Sequence, residues 1–116
     1  MKKWRFEKDG SLVCVADVAD TLLSRMVGLL GRKSLGPDAG LLIKPCTSVH
    51  TFFMRFTIDV IFLDAEYKVV KCLTMPSFRF ALGGKGAKTV LELPAGAIQR
   101  MALGPRDRLT FEELPA

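Results

Sequence analysis

Apolar positions along the chain fall mostly in short runs punctuated by Gly, Pro and charged residues, the pattern of many short strands rather than of long helices. Leu12–Ala16, with Val13 and Val15, predicts a strand following the Asp9-Gly10 turn. The period changes after Asp20, where Leu22, Leu23, Met26, Leu29 and Leu30 recur at helical intervals. A helix is expected there, with Asp20 or Asp17 as N-cap and Gly31 as its stop. Residues 32–40 read as loop, and Leu41–Ile43 enters a strand stopped by Pro45. Residues 48–54 read as extended and 55–57 as a bend. Ile58–Leu63, apolar on both faces except for Asp59, is the expected central strand. Asp64–Tyr67 suits a hairpin turn returning through residues 68–73, and Met75–Lys88 reads as a long basic loop. Thr89–Leu93 is a further strand ended by Pro94. Ala95–Leu103 is a short helix with Pro94 near its first turn and Gly104 as its stop, and Arg108–Glu112 is the last strand. Most connections are too short for a crossover helix, so neighbouring strands should pair antiparallel. The expected fold is α+β: one domain over residues 1–116, with a mostly antiparallel, curved or barrel-like sheet and two helices.

Composition agrees with a folded domain. Of 116 residues, 49% are hydrophobic and 25% charged, too apolar for a disordered chain and enough for one core without disulfides or a structural metal. The net charge of +5 is unevenly spread. Between Tyr67 and Leu91 lie Lys68, Lys71, Arg79, Lys85 and Lys88 with no acid, which favours anionic partners, although net charge also serves plain solubility. Cys14, Cys46 and Cys72 are odd in number and widely spaced, fitting neither a disulfide framework nor a redox motif, so a reducing compartment is expected. Arg5, Glu7 and Asp9 fall where a signal peptide would carry its apolar core, and no apolar run approaches the length of a membrane-spanning helix. A cytoplasmic location is the expectation.

Several blocks together carry a family resemblance. They are Asp20-Thr21 through Ser24-Arg25-Met26-Val27-Gly28-Leu29-Leu30-Gly31-Arg32, then Gly40-Leu41-Leu42-Ile43, then Ser48–Asp64, and Val90-Leu91-Glu92-Leu93-Pro94-Ala95-Gly96. Over roughly residues 12–112 the chain resembles the small bacterial and archaeal family known as domain of unknown function 192, most specifically in the His50–Asp64 block. The resemblance implies a compact α+β domain on a barrel-like sheet and implies no activity, cofactor or partner. Some members look exported. Thr57 departs from the Pro that similar sequences often have between the aromatic and the Ile-Asp pair.

His50 is the only histidine, so any Ser-His or Cys-His mechanism must use it. On an extended segment Cys46, Ser48 and His50 share one face, but each pair of residues advances ~6.6 Å, too far for a direct Cys46–His50 hydrogen bond. One histidine and three scattered cysteines match no metal-ligand spacing, so neither a metal nor a cofactor is expected. Asp59, flanked by apolar residues, needs a partner, for which Arg25, Arg32, Arg55 and His50 are candidates, or a backbone group that it caps. The glycine-rich pieces at 28–34 and 83–89 lack P-loop spacing. Phe78-Arg79-Phe80 would suit base stacking, yet no RNA-binding signature accompanies it, so nucleic acid is not the expected partner.

These features point first to a non-enzymatic binding domain for a small anionic ligand or an acidic peptide. Its site would gather Arg25, His50, Thr51, Arg55 and Asp59, with Lys85 on a basic rim or lid. The alternatives are a hydrolase or transferase with His50 as general base for Ser48, Cys46 or water, and an interaction module without a pocket. A thiol count on freshly prepared, denatured protein is expected to find three free sulfhydryls per chain. A count of one would refute the compartment argument as well.

Overall fold

The computed structural model describes residues 2–30 and 32–115. Among them run β1 (Lys3–Lys8), β2 (Ser11–Ala19), α1 (Leu22–Val27), β3 (Ala39–Ile43), β4 (Ser48–His50), β5 (Ile58–Leu63), β6 (Val69–Met75), β7 (Phe80–Leu82), β8 (Thr89–Pro94), α2 (Ala97–Met101) and β9 (Thr110–Glu113). A seven-stranded sheet takes the order β6-β5-β8-β3-β2-β1-β9, and β4 pairs with β7 in a separate two-stranded sheet. The fold is α+β and mostly antiparallel, as expected. The large sheet is not closed into a barrel: among the described residues its edge strands β6 and β9 are joined by no ladder, and the chain leading into them meets at the isolated Lys68–Arg108 bridge and the Arg106 N–H bond to the Val69 carbonyl.

Local chemistry explains most boundaries. Asp9 (φ 50°) and Gly10 (φ 82°) both take positive φ, the geometry of a tight hairpin turn between β1 and β2. The N-terminal segment is thus a strand with Trp4 and Phe6 buried. The cap of α1 is Thr21, not Asp20 or Asp17. Its hydroxyl accepts from the Ser24 N–H while Ser24 Oγ accepts from the Thr21 N–H, satisfying two orphan donors at once. The two acids are engaged elsewhere, Asp20 with Lys2 and Asp17 with Lys3 and Arg32. Gly28 forms the C-cap, and the stop expected at Gly31 lies outside the described residues. The span over residues 20–38 that holds α1 is long enough for one crossover, so β2 and β3 pair in parallel. Residues 75–88 are not all loop, because β7 pairs there with β4.

All six residues of β5 are buried, and the sheet separates two cores. On one face Ile61, Leu63, Leu91 and Leu93 pack with Trp4, Phe6 and α2. On the other, Ile58, Val60, Phe62 and Val90 pack beneath Leu29 of the α1 end and Val49 and Ala81 of the β4–β7 pair. Gly83 lets the chain after β7 lie on Phe62, since a Cβ there would stand 2.5 Å from the ring.

The five-residue α2 closes its C-terminus itself, with Ala102 in the left-handed region and the Ala102 and Leu103 N–H groups donating to the carbonyls of Gln99 and Ile98, but it has no side-chain cap of its own at its N-terminus. Its N-cap position is Gly96 (φ 99°), and Asp59 Oδ2 accepts from the N–H groups of Gly96 (3.1 Å) and Ile98 (2.9 Å), while Oδ1 accepts from Thr74 Oγ1 (2.6 Å). At the other end Lys8 Nζ donates to the carbonyls of Met101 and Ala102. A carboxylate at the N-terminus and an ammonium at the C-terminus also complement the helix dipole. Asp59→Ala strands two partly buried N–H groups and is expected to cost ~1–3 kcal/mol in a denaturant melt. Asp59→Asn should cost less, because an amide oxygen can face both N–H groups and its NH2 can donate to Thr74. An unchanged midpoint for the alanine variant would refute the capping role.

Candidate functional site

On the α1 side of the sheet, between α1 and β4, lies a cleft of about 250 Å³. Its walls are Val27, Leu29, Leu30, Ile43, Val49 and Met54, and its polar groups are Arg25, Cys46, Ser48, His50 and Glu92. The lining is mostly apolar, with a few polar groups set among aliphatic side chains. Arg25 arrives from the last turn of α1 and is held by donating to the carbonyls of Pro45 (3.2 Å) and Thr21 (3.4 Å). Ser48 and His50 arrive from β4, whose alternation turns them outward and buries Val49. His50 stacks on Phe52 at 5.2 Å. Cys46 precedes the strand, and its thiol donates to the Ser48 carbonyl at 3.0 Å.

Glu92 is the unexpected member. It sits in mid-β8, opposite Leu41 of β3 and Val60 of β5, and is 4% exposed. Its Oε1 has no hydrogen-bond partner among the described residues. Burial raises its pKa from the usual 4.5 to about 7, and the charge of Arg32 only partly opposes the shift. Part of this carboxyl is therefore protonated near neutrality, and it can both donate and accept a hydrogen bond. The same burial argument that singled out Asp59 applies to Glu92 within Val-Leu-Glu-Leu-Pro, so the signal was present in the sequence.

The residues expected to form one site separate. Arg25 and His50 share the cleft. Asp59 faces α2 on the opposite side of the sheet from Glu92. Thr51 is fully buried, and its hydroxyl donates to the Pro76 carbonyl (2.6 Å) and accepts from the Arg79 N–H (2.9 Å), pinning the segment before β7 to the end of β4. Arg55 and Lys85 are exposed on loops outside the cleft lining. The three thiols stand unpaired, and burial pushes Cys46 upward and Cys14 to about 12, which keeps both in the weakly nucleophilic thiol form. Among the described residues no three His, Cys, Asp or Glu side chains gather in a metal-binding group, and no helix is long and apolar enough to cross a membrane.

Comparison with known proteins agrees with this architecture. In the solved structures, a protein of Sinorhizobium meliloti described as a "putative transcription regulator" superposes with a TM-score of 0.80 at 21% identity, covering 95% of this chain and 92% of that one. That likeness is one of fold alone. Among curated sequences, a UPF0127 protein of Pyrococcus furiosus is 34% identical over 102 residues, 83% of this chain and 85% of the relative. A UPF0127 protein of Thermococcus sibiricus is 32% identical over 99 residues, 82% of this chain but 64% of the longer relative. The family model of DUF192, described as "Uncharacterized ACR", matches residues 5–111. With nearly the whole chain matched, and the cleft and both cores except Trp4 inside the matched span, the protein belongs to the DUF192 family.

Proposed function

We propose that this chain is a non-enzymatic binding domain whose cleft takes a small organic acid with an apolar body. The observation that carries the reading is Glu92 Oε1, a buried polar atom without a partner in a cleft otherwise lined by aliphatic side chains. An unmade hydrogen bond of this kind costs stability in the free protein and is recovered when a ligand supplies the missing partner. A protonated Glu92 would donate to a ligand carboxylate, Arg25 and His50 would face it with further donors, and Val27, Leu30, Val49 and Met54 would hold the apolar part. Lys85 and Arg55, exposed outside the lining, would add only long-range attraction. The raised thiol of Cys46 and its engagement with Ser48 favour binding over a nucleophilic mechanism. A reducing, cytoplasmic setting is part of the proposal and rests on the three free thiols.

A thermal-shift screen with short branched and aromatic carboxylic acids tests this. Stabilisation is expected from some of them, and Arg25→Ala or His50→Gln should weaken it by about ten-fold in affinity, the loss of one charged hydrogen bond. Carboxylic acids that leave the midpoint unmoved, with only their amides or alcohols binding, would refute the organic-acid reading.

The protonation of Glu92 has its own signature. Native Glu92 holds its proton up to about 7 while the unfolded chain releases it near 4.5, so the contribution of Glu92 to stability is fully present below 4.5 and is lost as pH rises through that window. The full loss is about 3 kcal/mol. Glu92→Gln should flatten this slope and be the more stable protein at pH 8. A variant with the wild-type slope would show that Glu92 is not the titrating group.

A further inference from the structure

We propose that the outer face of the β4–β7 pair is a docking surface for an anionic lipid bilayer, with the cleft opening at its border. The face is apolar where a soluble surface is normally polar. Cross-strand register puts Phe80 opposite His50 and Leu82 opposite Ser48 on the outward side, while Val49 and Ala81 point inward. The loops at the His50 end extend it: Phe52 stacks on His50, and Phe78 lies 6.5 Å from Phe52 and 5.7 Å from Phe53. Phe53 is 78% exposed and Phe80 60%. A contiguous group of exposed rings marks an interaction site rather than scattered surface apolarity.

The rings are held out by backbone that a bulky residue adopts only under constraint. Phe53 (φ 65°) and Phe78 (φ 61°) both occupy the left-handed region. Thr51 supplies the constraint, since its carbonyl accepts from the N–H groups of Met54 and Phe78 and its hydroxyl holds Pro76 and Arg79. The two loop tips are thus projected as a rigid pair.

Charge selects the partner. The chain that builds this face, β4 and β7 with their flanking loops over residues 44–57 and 76–88, contains no Asp or Glu. Arg55, Lys71, Arg79, Lys85 and Lys88 are exposed, and none takes part in the ion pairs formed among the described residues. Insertable rings ringed by unpaired cations are what an anionic interface binds, the rings entering the headgroup boundary and the cations meeting phosphates. A single nucleic acid strand would instead need ring faces free for bases. Here Phe53 and Phe78 meet edge to face at 72°, Phe52 is covered by His50, and Leu82 offers nothing to stack on.

The test is co-sedimentation of the full chain with phosphatidylcholine vesicles, with and without phosphatidylglycerol. Binding is expected only with the anionic lipid and should weaken as salt is raised. Phe53→Asn with Phe78→Asn, a pair that relieves the positive-φ strain and so keeps the fold, should lower partitioning about ten-fold or more. Arg55→Glu with Arg79→Glu should do the same with an unchanged melting midpoint. No pelleting, or equal pelleting with neutral vesicles, would overturn the proposal. So would binding to an oligouridine strand, or self-association, that is lost in the Phe53/Phe78 variant while vesicle binding is not. Because the cleft is untouched by these substitutions, retained carboxylic-acid stabilisation in the variants separates this surface from the binding reading above.

Discussion

A strand buried on both faces leaves no neutral place for a polar group, and β5 is such a strand from Ile58 to Leu63. Every polar atom that it or its neighbour β8 carries must find a partner inside the protein or remain unsatisfied. The sheet resolves this in two opposite ways. On one face Asp59 gathers a hydroxyl and two backbone N–H groups and in doing so fastens α2 to the core. On the other, one strand away, Glu92 has its Oε1 unpartnered and stays uncharged over much of the ordinary pH range, beside the cleft. One acid completes the fold and the other keeps an unused hydrogen-bonding atom at the cleft.

The cleft exists because the β4–β7 pair is laid over the sheet as a separate layer. Val49 and Ala81 anchor it in the second core, Gly83 lets it approach Phe62, and Thr51 locks its two chain segments together. The α1 side is set by a short capped helix whose Arg25 reaches across to Pro45. Both walls are therefore tied by hydrogen bonds to main-chain groups rather than by flexible side-chain pairs. Preorganisation of that kind lowers the ordering cost of binding.

Much of this was legible in the sequence where the signal is local. The run Ile58–Leu63, the Asp64 turn whose carboxylate accepts from the Glu66 and Lys68 N–H groups, and the strand ended by Pro94 follow from residue pattern alone. What escaped was decided at long range. β1 alternates Trp4 and Phe6 with Lys, Arg and Glu, a pattern overshadowed by the question of a leader, and it is fixed by pairing with both β2 and β9. β7 is three residues long and is a strand only because β4 lies beside it. The α1 cap went to Thr21 because Lys2, Lys3 and Arg32 occupy the nearby acids. Of the residues expected to gather in one site, Arg25 and His50 meet at the cleft, whereas Asp59 and Glu92 carry the same sequence signal and differ in which face of the sheet they meet.

The borrowed caps of α2 impose an order of events on folding. Five residues are too few to nucleate a helix in water, the N-terminus of α2 has no side-chain cap of its own, and the carbonyls of Met101 and the left-handed Ala102 at its other end are taken up by Lys8. Its N-terminus waits for Asp59 on β5 and its C-terminus for Lys8 on β1, elements that lie far away in the chain on either side of the sheet. The helix is thus a late product of sheet assembly and a poor seed for it. Once formed, it bolts strands from opposite halves of the chain into one cooperative unit, so that β1 and β5 cannot fray independently without α2 unwinding between them.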